Sequence, residues 1–342
     1  MRTTILLALF TVGSLLLSCD KALLQDVPEN DPVNNFNSVW TEFNEKYGLF
    51  EVKSIDWDKS HDVYAPQLNS SSTDKELYNV LKAMLKELND NHVGLVTTRS
   101  DLPAFSAGNL DEIDRITDFD LSIIKDQYLP DMKFEEPFFS YGILPDNIGY
   151  IHIEGFSDVP RYLKKPMKAV LEALKETKGL VIDVRGGYGG EDVAGKFIAG
   201  HFTTKSYPYM KTKVKSGPGE EDFTPVETWR VEKEGDEQYL KPIVVLTHRF
   251  TISARETFCL AMRPLEQVSF VGDTTAGAFS NQINREMPNG WGYSLSIGEW
   301  TDAGGNSFEG IGIHPDVLVQ NQEEDLLKGT DKALEAAMDL LK

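Results

Sequence analysis

Residues 178–190, KGLVIDVRGGYGG, decide how this chain folds. The apolar residues of LVIDV are nearly continuous, so the stretch reads as a strand buried on both faces rather than one facing water. It runs directly into Gly186, Gly187, Gly189 and Gly190, and the pattern after them predicts a helix over 193–202. Upstream, GYIHIEGF (149–156) reads as a strand. Residues 161–177 read as a helix with apolar positions Leu163, Met167, Val170, Leu171 and Leu174. Downstream, PIVVLTHR (242–249) is a second buried strand, followed at once by a helix over 253–262. A short strand at 268–271, a hairpin pair near 283–287 and 293–297, and a terminal helix over 331–341 complete the pattern. Strands alternating with helices in this way give an α/β layer architecture. The acidic, turn-rich stretch 213–240 reads as a surface excursion.

Before this core, residues 36–95 carry helix-spaced apolar positions and read as a small helical domain. Phe36, Trp40, Phe43 and Tyr47 recur at three- and four-residue steps. Thr73 with Glu76 forms a capping-box signature. The helix it opens runs through Leu77, Val80, Leu81, Met84, Leu85 and Leu88, and delivers NDNHVGL (89–95). Residues 96–147 read as a connecting segment and 148–342 as the core domain. Ahead of both, residues 1–18 pair a basic start with a short apolar run and read as a secretion signal. Residues 19–35 read as a tether.

The 342 residues carry 34 Lys+Arg against 54 Asp+Glu, a net charge of −20. Such acidity repels phosphate backbones, which excludes nucleic-acid binding through a basic groove. Two cysteines, Cys19 and Cys259, make neither a disulfide framework nor a cysteine zinc cluster. Cys259 sits in an apolar helical pattern and reads as a small buried hydrophobe. No cofactor or metal site is expected. GEDVAGK (190–196) has the spacing of a phosphate loop, but Phe197 stands where Ser or Thr must follow, and Glu191 and Asp192 oppose phosphate.

The glycine-rich turn reads two ways. It needs positive φ at its bends, or it aims backbone N–H groups at a developing oxyanion. Ser253 is equally double. It opens a helix with Glu256 three residues on, a capping box, yet it also stands at a strand's carboxyl end, where α/β sheets place ligand sites. A serine nucleophile needs a general base, and histidine is poised for that near neutrality. His61, His152, His201 and His314 sit in a polar stretch, a strand, a helix end and a turn. His92 and His248, the latter five residues before Ser253, remain as candidates.

Six segments in order resemble the serine protease family that holds the C-terminal processing (tail-specific) proteases and the tricorn core protease. They are NDNHVGL, GYIHIEGF, KGLVIDVRGGYGG, LTHRFTISARETFCLAM, VSFVGDTTAG and GNSFEGIGIHPDV. The resemblance implies a crotonase-like ββα core with a helical N-terminal domain, and a peptide or unfolded protein as substrate. It places the nucleophile on Ser253 and the oxyanion hole on the Gly189 and Ala254 amides. The processing proteases' lysine falls on Ala278, so that dyad is absent. The tricorn-like branch implies His92 as base, with Glu309 orienting it, although Asn91 replaces that branch's serine. The 96–147 segment lacks the glycine loop of a complete PDZ domain. Leu16-Leu17-Ser18-Cys19 resembles a lipobox, which implies lipidation of Cys19, membrane attachment through that anchor and a place in the bacterial cell envelope. A ligand-binding lipoprotein without turnover is the alternative on the same fold.

Overall fold

The computed structural model describes residues 29–108, 118–156, 160–187 and 189–342. The expected secretion signal, Cys19 and most of the expected tether lie outside them. The helical part opens with α1 (Pro32–Lys46), capped by the Asp31 carboxylate, which accepts the N–H groups of Val33 and Asn34. Short helices α2 (Phe50–Lys53) and α3 (Trp57–Tyr64) follow. The longer α4 (Asp74–Lys86) starts at Thr73, with both halves of the expected capping box formed. The apolar stripes of α1 and α4 face each other. Phe36, Val39 and Phe43 pack in one core with Leu77, Leu81, Met84 and Leu85. Each such side chain contributes about 1.5–3 kcal/mol of burial.

Two short strands, β1 (Gly94–Val96) and β2 (Phe105–Ser106), end this part. The chain then forms β3 (Lys133–Glu135), β4 (Phe139–Leu144), β5 (Ile148–Ile153), α5 (Pro160–Leu174), β6 (Leu180–Asp183) and α6 (Asp192–Ala199). Next come β7 (Tyr207–Val214), β8 (Glu227–Val231), β9 (Ile243–Thr247), α7 (Ala254–Met262) and β10 (Val268–Gly272). The last elements are β11 (Gln282–Glu286), β12 (Gly292–Ser296), β13 (Gly298–Asp302), β14 (Val317–Leu318) and α8 (Lys332–Leu340).

Among the described residues the main sheet has seven strands in the order β14-β10-β9-β6-β5-β4-β3. From β5 to β14 neighbours run parallel, and β4 and β3 close the edge antiparallel. Side chains alternate between its faces. Ile182 and Val245 pack with α5, α6 and α7, while Val181 and Val244 pack with α8. The expected α/β core with a helical N-terminal part is thus the observed one. Parallel pairing of Asp183 with Leu246 makes β6 and β9 end side by side. The glycine-rich turn and the segment carrying Ser253 therefore leave the sheet together. No described helix is long and apolar enough to cross a membrane.

Three regions differ from expectation. Residues 213–240 are more than a surface excursion. They supply β8, which joins β13 and β7 in a three-stranded sheet, and they bury Val231 and Tyr239 in the main core. The stretch reads as acidic because an edge strand keeps one face in water, with Glu227 and Arg230 exposed there. The connecting segment supplies β3 and β4 to the main sheet, and β4 buries Phe139 and Leu144. The hairpin β11–β12 does not pack on the main sheet: β12 pairs with β1. Met287, Trp291, Tyr293 and Leu295 complete the helical part's core.

Candidate active site

Ser253 is the N-cap of α7, in a backbone conformation that a side chain rarely adopts (φ 59°, ψ −125°). Such strain persists only where neighbours over-determine it, and it concentrates at functional sites. Here the neighbour is Glu256, fully buried one turn along α7. Its Oε2 accepts the N–H of Ser253 at 3.0 Å and of Ala278 at 2.8 Å. Its Oε1 accepts the Thr275 hydroxyl at 2.6 Å and the Gly277 N–H at 2.7 Å. Four donors still do not fully offset the lost water, and burial raises its pKa to about 7. The capping-box reading of Ser253 and Glu256 therefore captures one of these four bonds.

Gly189 lies directly against the serine. A Cβ added to it would come within 2.5 Å of Ser253 Cβ, 2.9 Å of Oγ and 3.0 Å of the Ala254 nitrogen. Only glycine fits there. The two residues expected to supply oxyanion donors, Gly189 and Ala254, thus meet at the serine from two different strands' ends.

His92 is buried in the turn between α4 and β1. Its N–H donates to Asp90 Oδ1 at 2.8 Å, and its ring Nδ1 is buried with no hydrogen-bond partner. Burial lowers its pKa, with Asp90 and Asp192 opposing and Lys53 assisting. Asp192, whose charge favours the protonated ring, is itself held to the helix that Ser253 opens, because Thr257 of α7 donates to Asp192 Oδ1 at 2.7 Å. Asn91 adds a long contact, Nδ2 to the Ala276 carbonyl at 3.5 Å.

Glu309 is buried close by but is already engaged. Its Oε2 accepts the Phe279 N–H at 2.7 Å, and its Oε1 pairs with Lys53 Nζ at 2.7 Å. Burial, with the Asp90 charge adding to it, raises Glu309 to about 8 against the pull of Lys53. The orienting bond from Glu309 to His92 that the resemblance implies is not formed. Asp90 takes the Tyr47 and Ser296 hydroxyls on its other oxygen. Neither Lys53 nor Asp90 stood out in the sequence, where Lys53 is one polar residue of a short helix.

His248, the other candidate base, is occupied elsewhere. Its Nε2 accepts the Gly186 N–H at 3.1 Å and its Nδ1 faces Thr251 Oγ1 at 3.3 Å. Burial pushes it down to about 3, so it stays neutral and braces the glycine-rich turn. Ala278, standing where the related proteases carry lysine, is buried with its N–H on Glu256. Cys259 is fully buried and burial pushes its thiol up, consistent with a packing role.

A strained serine that opens a helix after a parallel strand, with a glycine packed against it, stands where α/β sheets place their sites. Residues 147–319 match the family model of peptidase family S41, and residues 28–86 match that of the tricorn protease C1 domain. The chain belongs to peptidase family S41. It is 28% identical over 179 residues to the carboxy-terminal processing protease CtpB of Bacillus subtilis strain 168, a match covering 52% of this chain and 35% of that one. It is 28% identical over 207 residues to CtpA of the same organism, covering 60% and 41%. Its matches thus span less than half the length of these curated relatives. A candidate peptidase from Parabacteroides merdae ATCC 43184 shares the fold at a TM-score of 0.81 and 30% identity, over 92% of this chain and 97% of that one.

Proposed function

We propose that this S41 chain is a serine endopeptidase acting on peptides or unfolded proteins, anchored in the bacterial envelope by lipid on Cys19. Ser253 Oγ attacks the scissile carbonyl while His92 takes its proton. The carbonyl oxygen, now anionic, accepts hydrogen bonds from the Gly189 and Ala254 amides. His92 returns the proton to the leaving amine, and water, activated by the same ring, releases the acyl group from Ser253. A pKa lowered by burial keeps His92 neutral, and so ready to accept a proton, at pH 7. The charges of Asp90 and Asp192 favour the protonated ring and steady the imidazolium that forms, a role Glu309 could take only by leaving Lys53. The reading rests chiefly on one observation, the approach of Gly189 to both Ser253 Oγ and the Ala254 nitrogen. The names of the curated relatives support the substrate class.

Fluorophosphonate labelling of the mature protein tests this reading. One adduct on Ser253, lost in Ser253→Ala and strongly slowed in His92→Ala, is expected. An unlabelled Ser253, or full-rate labelling of His92→Ala, overturns it. The unpartnered His92 Nδ1 and the engagement of Glu309 by Lys53 favour a second reading, a peptide-binding lipoprotein without turnover. Peptide affinity with no cleavage of unfolded casein would select that one.

A further inference from the structure

The two oxyanion donors of the proposed site sit on separate elements. Ala254 belongs to the first turn of α7, and Gly189 belongs to the turn that follows β6. Amide donors stabilise a transition state only when both are fixed within a few tenths of an ångström of the oxyanion. Some group must therefore tie the glycine-rich turn to the helix. Arg255, next in sequence to Ala254, is fully buried and makes that tie. Its Nη1 donates to the carbonyl oxygens of Val184 at 2.8 Å and Arg185 at 3.3 Å, the two residues that lead from β6 into the turn. Its Nη2 donates to the Glu154 carbonyl, where the chain leaves β5. Its guanidinium carbon lies 5.9 Å from the centre of the Phe156 ring. A Cβ on Gly187, inside the turn, would collide with Nη2.

Burying a guanidinium against carbonyls is costly for folding, and the cost shows in a pKa lowered to about 10 by desolvation. An apolar side chain of similar volume would fill the same space more cheaply. Arg255 has the one geometry that serves the site: five planar donors reaching two strand ends from the turn of helix that carries the nucleophile.

We propose that Arg255 is a positioning residue of the oxyanion pocket, fastening the turn that carries Gly189 to the helix that carries Ser253 and Ala254. This rests on the reading of Ser253 as nucleophile. Three variants of the full mature chain test it: Arg255→Met, Arg255→Lys and Gly187→Ala. The last keeps the cation and displaces it. The readouts are kcat and KM on a fluorogenic casein, the affinity of a peptide aldehyde that places an oxyanion in the pocket, and urea denaturation.

Arg255→Met is expected to lose about 10²-fold in kcat, the size of one lost oxyanion donor, with KM within about twofold. The aldehyde should weaken by a similar factor. Arg255→Lys should recover part of both, and Gly187→Ala should lose both in the same direction. If Arg255→Met does not fold, the other two variants carry the test. Unchanged kcat and aldehyde affinity in folded Arg255→Lys and Gly187→Ala, or a rise in KM alone, overturns the proposal. Failure of wild-type Ser253 to take a fluorophosphonate overturns the nucleophile reading, and Arg255's role with it. Normal labelling with unaffected variants overturns Arg255's role alone.

Discussion

Two buried glutamates hold the same loop, and they hold it very differently. Glu256 takes the amides of Gly277 and Ala278 and the Thr275 hydroxyl, while Glu309 takes the next amide, that of Phe279. Around Glu256 each carboxylate oxygen has two donors, and the serine it supports is fixed. Around Glu309 a second carboxylate, Asp90, faces the same interior, Lys53 supplies the opposing charge, and the His92 ring nitrogen nearby has no partner. The surroundings of Ser253 are fully hydrogen-bonded, whereas the surroundings of His92 keep a vacant hydrogen-bonding position. Preorganisation is worth most where charge develops, and under the proposed mechanism it is concentrated on the oxyanion side.

The largest expected effect attacks the unfinished side. His92→Ala should lower kcat/KM on casein about 10³-fold. A loss under tenfold would show that the base side takes no part in the reaction. Next, Glu256→Gln replaces one acceptor oxygen with a donor facing N–H groups. It should cost about 2–3 kcal/mol in urea denaturation and about 10²-fold in kcat. A fully stable, fully active Glu256→Gln would mean the two glutamates do not differ as described.

Lys53→Met should lower kcat/KM roughly tenfold at pH 7 and move its acid limb to higher pH. Lys53 lowers the pKa of both Glu309 and His92, so its loss shifts both in the same direction. Lys53→Arg should behave nearly as wild type. An acid limb left in place would sink this account of Lys53. The smallest effect concerns stability. A carboxyl whose pKa is raised on folding binds its proton more tightly in the folded chain, so stability falls as pH rises from 4.5 towards the folded value. For Glu309 that value is about 8. Glu309→Gln should remove on the order of 2 kcal/mol of that decline between pH 4.5 and 8, read by urea titration at several pH values. An unchanged slope would place the proton elsewhere in the cluster.

What the sequence disclosed followed from local signals. The continuous apolar run before Gly186, the Thr73–Glu76 cap and the serine at the end of β9 are all short-range patterns, and the structure keeps each of them. What it concealed is long-range. Glu256 was visible as a helix cap, yet three of its donors come from a loop about twenty residues away that no periodicity links to it. Nothing in the local pattern marks Lys53, whose partner Glu309 lies more than 250 residues later in the chain. The β8 strand was hidden because its charged face dominates its composition. The hairpin β11–β12 was expected, but not its partner, which is β1 rather than a strand of the main sheet.

That last pairing constrains the order in which the molecule is completed. Trp291 and Tyr293 fill places among Tyr78, Phe43 and their neighbours, residues synthesised more than 200 positions earlier. Without the hairpin those seats stand empty, so the amino-terminal helices reach final packing only when it is in place. His92 lies between the same helices and β1, so its surroundings are finished late as well. The imidazole's setting is therefore complete only once the hairpin has joined β1.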